Sequence, residues 1–280
     1  MQVENIHDNW GSIVIFENPL DFFNNDKTFW TKFLYDRKMV VFKTMSFSKE
    51  DYCNFTECFG KPWDHPQYRD SLEACEVVST KTGNKIISPF SNKIIARITN
   101  AEMPWHSDIP NHATKPFPHR ALWITSNPNG QNSGHTTWMN LELAIDLLTD
   151  EQKTLLDKII VMQQSWHRPG TGFQEFPILK QHPVTGNFSL RLNYYNRNKI
   201  TDAWIHGVKI DGAIQSDCSL IGNWIRYLEQ FPQLLYTHVW DLYDIAIYDN
   251  WSLIHKRSPL QFDNGNERHF YRVNIDHEIL

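Results

Sequence analysis

Trp105-His106-Ser107-Asp108 is the stretch that decides how the chain is read. Side chains alternate faces along an extended strand, so His106 and Asp108 are expected on one side, where an imidazole and a carboxylate can grip one metal ion. A third ligand has to come from distant sequence, and His255, in Asp249-Asn250-Trp251-Ser252-Leu253-Ile254-His255, is the candidate. Two imidazoles and one carboxylate on one face of an ion leave its other positions open, the ligand pattern of non-haem Fe(II) oxygenases. The chain has 13 His, so an H-x-D alone is unremarkable. Arg268 adds weight: it lies thirteen residues beyond His255, on an alternating segment over 268–275 that reads as a strand. A guanidinium holds a carboxylate through two parallel hydrogen bonds. A metal site, that arginine and the hydroxyl of Thr136 together describe a pocket for 2-oxoglutarate, its 2-oxo acid end on iron and its far carboxylate at Arg268 and Thr136. Taken singly, the same residues have plainer readings. Arg268 and Arg272, four apart with Phe270 between them, also fit a solvated strand face, and Thr136 is a β-preferring residue in a strand.

Outward from this stretch the pattern is α+β. Residues 12–16 and 39–42 read as compact buried strands. Asp26 is placed to cap a helix running to about Arg37, with Phe29, Phe33 and Leu34 on one face, and Ser48 to cap a helix over 49–59 that ends at Gly60. Residues 61–104 look loop-rich, with strand-like pieces at 76–80 and 94–98. Strands are expected at 120–125 and 136–138, joined by a turn at Asn129-Gly130 into a hairpin that brings Thr136 near the metal strand. Residues 141–160 read as two helices broken near Thr149, whose partner Gln152 completes a capping box. Residues 165–177, with Trp166, Phe173 and Phe176, read as a loop or lid. Further strands are expected at 188–192 and 244–248, and a helical stripe at Ile221, Trp224, Ile225 and Leu228. With no internal repeat or flexible linker in view, the expectation is one domain over 1–280, a jelly roll of short strands with outer helices and a lid insertion.

Bulk properties narrow the function classes. The chain has 280 residues, 41% of them apolar and 21% charged, enough for a buried core in an ordinary soluble composition. A net charge of −5 gives no electrostatic reason to expect nucleic acid. The four cysteines, Cys53, Cys58, Cys75 and Cys218, contain no C-x-x-C pair and read as reduced thiols. The first residues lack the basic and apolar regions of a signal peptide, and no apolar run approaches the ~20 residues needed to cross a bilayer. The cytoplasm is the expected location and a small molecule the expected partner, with no membrane association and with homo-oligomerisation left open.

Several motifs occur in the order and approximate spacing of a known family: His106-Ser107-Asp108, Gly134-His135-Thr136-Thr137-Trp138, His182-Pro183-Val184-Thr185-Gly186, Asp244-Ile245-Ala246-Ile247-Tyr248-Asp249-Asn250, His255 and Arg268. The chain resembles the taurine/chlorophenoxyacetate (TauD/TfdA) dioxygenases, which use Fe(II), 2-oxoglutarate and O2. The likeness runs from Val40-Val41-Phe42 to Arg272. It implies a double-stranded β-helix, iron on His106, Asp108 and His255, and 2-oxoglutarate on Thr136 and Arg268. For the primary substrate it implies His65 and Tyr68, from His65-Pro66-Gln67-Tyr68, and Arg272, which takes the place of the arginine that meets the taurine sulfonate. The position that supplies an Asn to taurine falls on Glu102. The chain has Gly134-His135-Thr136 where the family often has Gly-Asp-Thr, and Trp251 where it often has Arg. A carboxylate at 102 would repel a sulfonate and welcome an ammonium or hydroxyl. Asp108 separates the chain from halogenating relatives, which carry a smaller residue there.

The implied reaction is oxidation of a C–H bond, with hydroxylation as the usual outcome. The alternative in the same site is desaturation of an amino-acid-derived or isonitrile-bearing aromatic carboxylate in secondary metabolism. Two other classes predict different behaviour. A non-catalytic binding module would bind no iron, and a zinc hydrolase would have no use for Arg268.

Overall fold

The computed structural model describes residues 1–62, 75–80, 83–87, 94–98, 100–108, 119–128, 132–164, 173–192, 204–215, 219–262 and 267–276. Two sheets dominate. The long one has ten strands. From edge to edge it runs Gln2–Asn5, Ser12–Ile15, Met39–Phe42, Ile245–Asp249, His119–Ser126, Arg268–Asp276, Cys75–Thr80, Gly83–Ile87 and Ile94–Ile98, with Lys61–Pro62 beside the terminal strand. The short sheet has four strands, in the order Leu235–His238, Thr136–Asn140, Leu253–Arg257 and Met103–His106. Strands and helices mix in one α+β architecture, and neither sheet closes into a barrel.

Strand alternation sorts the residues into three layers. Val40, Phe42, Ile245, Ile247, Val273 and Ile275 point outward from the long sheet into an aromatic core with Phe22, Trp30 and Phe55. Their neighbours Met39, Val41, Ala246 and Tyr248 point inward and meet Trp138 and Leu253 of the short sheet. Met139 and Ile254 point out of the far side of the short sheet, against Leu141, Ala144, Ile221, Trp224, Ile225 and Leu228. The chamber between the sheets is therefore lined by every second residue of strands whose other residues hold the molecule together.

The N-terminal helices form where their caps predict. Asp26 accepts from Phe29 N and opens the helix Lys27–Arg37; Ser48 and Asp51 form a reciprocal capping box on Lys49–Glu57. The buried face of the first helix differs from the expectation. Trp30, Thr31, Leu34 and Tyr35 are buried, whereas Phe29 is 38% exposed. Trp30 wins because the outer core offers it flat and edge contacts, with Phe22 stacked at 4.5 Å and Phe42 edge-on at 5.4 Å. Gly60 has φ +144° because the terminal strand crosses there: a Cβ would stand 2.0 Å from Asp276 O.

Other expectations also change. Residues 83–87 form a strand within the stretch read as loop. The helical stretch ends at Leu156, after the predicted break at Thr149. The lid region lies mostly outside the described residues, but Phe173–Pro177 is a strand paired with Ile159–Gln164. The expected hairpin between 120–125 and 136–138 does not form. His119–Ser126 belongs to the long sheet and Thr136–Asn140 to the short one, so the two strands lie in separate sheets and do not pair. Among the described residues no helix is long and apolar enough to cross a membrane.

Candidate metal centre

His106 and His255 face each other across the Met103–His106 and Leu253–Arg257 strands, in direct register, with ring centroids 4.2 Å apart. Asp108 joins them: one ligand atom from each of the three residues lies within 4.8 Å of the others. The route by which Asp108 arrives differs from the simple pleat argument. The strand ends at His106. Asp108 lies beyond it and is held by Asn250, whose Oδ1 accepts from Asp108 N at 2.8 Å and whose Nδ2 donates to Asp108 O at 2.9 Å. A side-chain amide thus replaces the missing ladder bonds.

Asn250 is placed in turn by its neighbours. Asp249 accepts from Trp251 N at 2.8 Å and Ser252 Oγ at 2.6 Å, which shapes the turn between the Ile245–Asp249 and Leu253–Arg257 strands. His182 backs the same carboxylate, its Nε2 3.2 Å from Asp249 Oδ2, while its Nδ1 accepts from Val184 N and Thr185 N. The His-Pro-x-Thr-Gly motif therefore acts two steps away from the metal cluster, as a brace for the turn.

The protonation states suit a cation. His106 Nδ1 lies 2.7 Å from Pro104 O, so that nitrogen carries the proton and Nε2 keeps its lone pair. Burial, opposed by Asp108, pushes the His106 pKa down. Burial and then His106 push His255 down to about 3, so both rings are neutral near pH 7. Burial alone would raise Asp108, but Arg120 first, then His255, His106 and Arg272, hold it well below the usual carboxylate range. Two neutral imidazoles and an ionised carboxylate can take up a divalent cation without first releasing protons. The donor set and its clustering therefore fit a non-haem Fe(II).

The opposite wall comes from the long sheet. Arg120 stands in register between Tyr248 and Asn274 on adjacent strands, and all three side chains point inward. Tyr248 Oη donates to Asp108 Oδ2 at 3.0 Å, and Arg120 pairs with Asp108 Oδ1. Arg272 lies two residues from Asn274 on the same side of the terminal strand and is half-buried.

At the far end Arg268 meets the segment that leads into Thr136. Thr136 is buried, and its Oγ1 accepts from Trp240 Nε1 at 3.0 Å. Arg268 is 5% exposed; its Nη2 lies 3.5 Å from Gly134 O, two residues before Thr136. Its Nε has no hydrogen-bond partner among the described residues, and the residue borders a narrow crevice lined also by Ser133, Leu260 and Phe262. Burial and then Arg257 push its pKa down to about 9, which leaves it charged at neutral pH. Gly134, at φ +72°, allows this approach: a Cβ there would meet Leu260 Cδ2 at 2.5 Å and Arg268 Nη1 at 3.1 Å.

Glu102 is exposed just before the His106 strand. His65 and Tyr68 lie outside the described residues. Sequence reasoning missed Arg120, Asn250 as a clamp, Trp240 and Arg257. Asn250 and Trp240 stand in or beside a recognised motif. Arg120 carried no local signal, because only strand register brings it to Asp108. Arg257, half-buried and with its pKa lowered by burial to about 10, shares the inner face of its strand with His255 by the two-residue repeat.

Known proteins resemble this chain as follows. The family described as taurine catabolism dioxygenase TauD, TfdA family matches residues 2–274. An alkylsulfatase of Acinetobacter baylyi is 24% identical over 224 residues, 72% of this chain, and the match spans 61% of that relative's length. Among solved structures, the PvcB protein of Pseudomonas aeruginosa superposes with TM-score 0.70 at 17% identity, covering 98% of this chain and 91% of its own. AAD-2 in complex with Mn(II) and N-oxalylglycine gives TM-score 0.66 at 16% identity, covering 99% and 96%. A taurine dioxygenase from Burkholderia xenovorans gives 0.64 at 17%, covering 99% and 91%. At such identities the superpositions speak for the fold.

Proposed function

The chain belongs to the TauD/TfdA family of Fe(II)- and 2-oxoglutarate-dependent dioxygenases, and from that premise we propose that it hydroxylates a C–H bond of a small anionic substrate. In this reading His106, Asp108 and His255 hold iron, Thr136 and Arg268 hold 2-oxoglutarate, and His65, Tyr68, Glu102 and Arg272 meet the substrate. With Fe(II), 2-oxoglutarate and O2 bound, oxidative decarboxylation yields succinate and CO2 and oxidises the substrate carbon.

The observation that carries the reading is Arg268, a buried guanidinium with an unpartnered Nε and no carboxylate beside it among the described residues. A buried charge without a counter-ion is costly, and a ligand carboxylate relieves that cost. Thr136 complements it. Its oxygen already accepts from Trp240, so its own proton is left to donate to the same carboxylate. Trp138, Trp240 and Tyr248, each at most 2% exposed, pack in one cluster of the layer between the sheets, an apolar surround of the kind that keeps water from a reacting centre.

For the primary substrate, Arg272 offers a cation near Asp108 on the inner side of the terminal strand. The names of two relatives, alkylsulfatase and taurine dioxygenase, denote substrates with a sulfur oxyanion, in keeping with a cation at that place. Glu102 favours a substrate that also carries an ammonium or hydroxyl. Succinate release, screened over amino-acid, sulfonate and aromatic carboxylate candidates, identifies the substrate. Arg268→Ala tests the co-substrate assignment: the 2-oxoglutarate concentration for half-maximal succinate release should rise by ~10²-fold. An unchanged requirement would remove Arg268 from the reading.

A further inference from the structure

We propose that Arg120 is a positioning residue that restricts Asp108 to one oxygen toward the metal and weakens its hold on the cation, so that the 2-oxo acid finds an open position. The inference rests on the assignment of His106, Asp108 and His255 as the metal ligands.

The two oxygens of Asp108 have different surroundings. Oδ2 faces the histidine side: it lies 3.7 Å from His255 Nε2 and accepts from Tyr248 Oη, itself 3.5 Å from that nitrogen. Oδ1 is turned to the opposite wall, where Arg120 Nη1 stands at 2.5 Å. Arg120 is itself latched, its Nε donating to Asn274 Oδ1 at 3.0 Å, and it is 7% exposed. The planar guanidinium is thus pinned along one edge while another faces the carboxylate, an arrangement that a flexible ammonium would not reproduce. The register explains the convergence: Tyr248, Arg120 and Asn274 are direct neighbours across three strands, one row on the inner face of the long sheet.

A carboxylate can bind an ion through one oxygen or through both. When both engage, the ligand takes two positions on the ion, and one fewer remains for a chelating co-substrate. A guanidinium on Oδ1 blocks that mode. It also draws charge from the carboxylate and repels a dication nearby, so it lowers metal affinity. A brace of this kind has a signature that a purely structural residue lacks. Its removal should move metal affinity and co-substrate affinity in opposite directions, whereas general loosening of the site would weaken both.

The experiment uses the full chain without turnover. Mn²⁺ binding is followed by loss of the free Mn²⁺ paramagnetic resonance signal, and 2-oxoglutarate binding to the Mn²⁺-loaded protein by anaerobic calorimetry. Arg120→Met should bind Mn²⁺ about tenfold more tightly and 2-oxoglutarate about tenfold more weakly. Arg120→Lys, which keeps the charge but not the latched planar edge, should recover only part of the wild-type metal affinity and leave 2-oxoglutarate binding weak. Asn274→Ala, which leaves Arg120 in place but unlatched, should shift both affinities in the same opposed directions by about threefold, and it stands in should Arg120→Met fail to fold. Unchanged affinities, or Mn²⁺ and 2-oxoglutarate both weakened, would overturn the proposal. Failure of the ligand assignment itself looks different: wild type and His255→Ala would then bind Mn²⁺ equally.

Discussion

The long sheet has two faces made from the same strands, and they do opposite work. Outward, Phe42, Ile245, Ile247, Val273 and Ile275 close on Trp30, Phe22 and Phe55 in an aromatic core with no role in the chamber. Inward, the alternate residues Tyr248, Arg120, Asn274, Arg272 and Arg268 put a hydroxyl, an amide and three guanidinium groups between two apolar layers. Burying a charge is expensive and burying an aromatic ring is favourable. The outer face can therefore supply the stability against which the inner face holds its charges in place. Substitutions on the two faces should accordingly separate stability from activity.

The largest effect is expected at the metal cluster. His255→Ala removes a neutral buried ring and with it one of three donors, so turnover should fall by ~10³-fold or more. Thermal unfolding should shift only modestly. Activity near wild type with iron added would refute the triad. The outer face should behave in the reverse way. Trp30→Ala deletes a fully buried ring stacked on Phe22, and denaturant unfolding should show a loss of about 3–5 kcal/mol. The kcat of the molecules that remain folded should stay near wild type. A large fall in kcat would mean that the outer core is coupled to the chamber.

Within the inner face the two outlying arginines should separate from each other. Arg272→Ala should raise the KM for the primary substrate by roughly tenfold while the 2-oxoglutarate requirement changes little. The opposite pattern would mean that Arg268 and Arg272 have exchanged roles.

The smallest effect sharpens the contrast from the other side, at a buried cation outside the chamber. Lys180 is 8% exposed, on the hairpin whose Leu190 joins the core behind the short sheet, with its ammonium 5.7 Å from the Trp251 ring centre. Burial first, then Arg191, with Asp249 opposing, push its pKa down to about 7 from the 10.5 of a free lysine. Between these values the unfolded chain carries a proton that the folded chain lacks, so this group makes stability rise with pH across that window. Below about pH 7 both states are protonated, and the burial cost is present in full. Lys180→Met should raise stability at pH 6–7 by roughly 1–2 kcal/mol and flatten the rise between pH 7 and 10. Chemical denaturation at four or five pH values reads both; a wild-type profile flat over that range would show that Lys180 keeps an ordinary pKa when folded.

Much of the molecule was legible along the chain, for identifiable reasons. Caps at Asp26, Ser48 and Thr149 are local hydrogen bonds between residues three apart, so the letters suffice to place those helix starts. The strands at Met39–Phe42 and Ile245–Asp249 are short and buried throughout, apolar except for the terminal Asp249, and burial on both faces leaves them no other reading. His106, Asp108, His255, Thr136 and Arg268 were all picked out from residue chemistry together with family resemblance, and the structure brings the first three into one cluster and sets Arg268 beside Gly134, two residues before Thr136. The choice of helix face was less legible: Phe29 and Trp30 are similarly apolar, and only the shape of the receiving core decides between them.

What the sequence determined by itself was the inventory: which donors are present, which segments are strands, and where helices begin. Tertiary structure alone decided the pairing of layers, which placed residues 120–125 and 136–138 in different sheets. It also decided how Asp108 reaches the histidines, through an amide 142 residues away at Asn250. Arg120 opposite Asp108 belongs to the same class. Such contacts depend on register between strands distant in sequence, and register is settled by the packing of all the side chains at once, a quantity that no local stretch of letters contains.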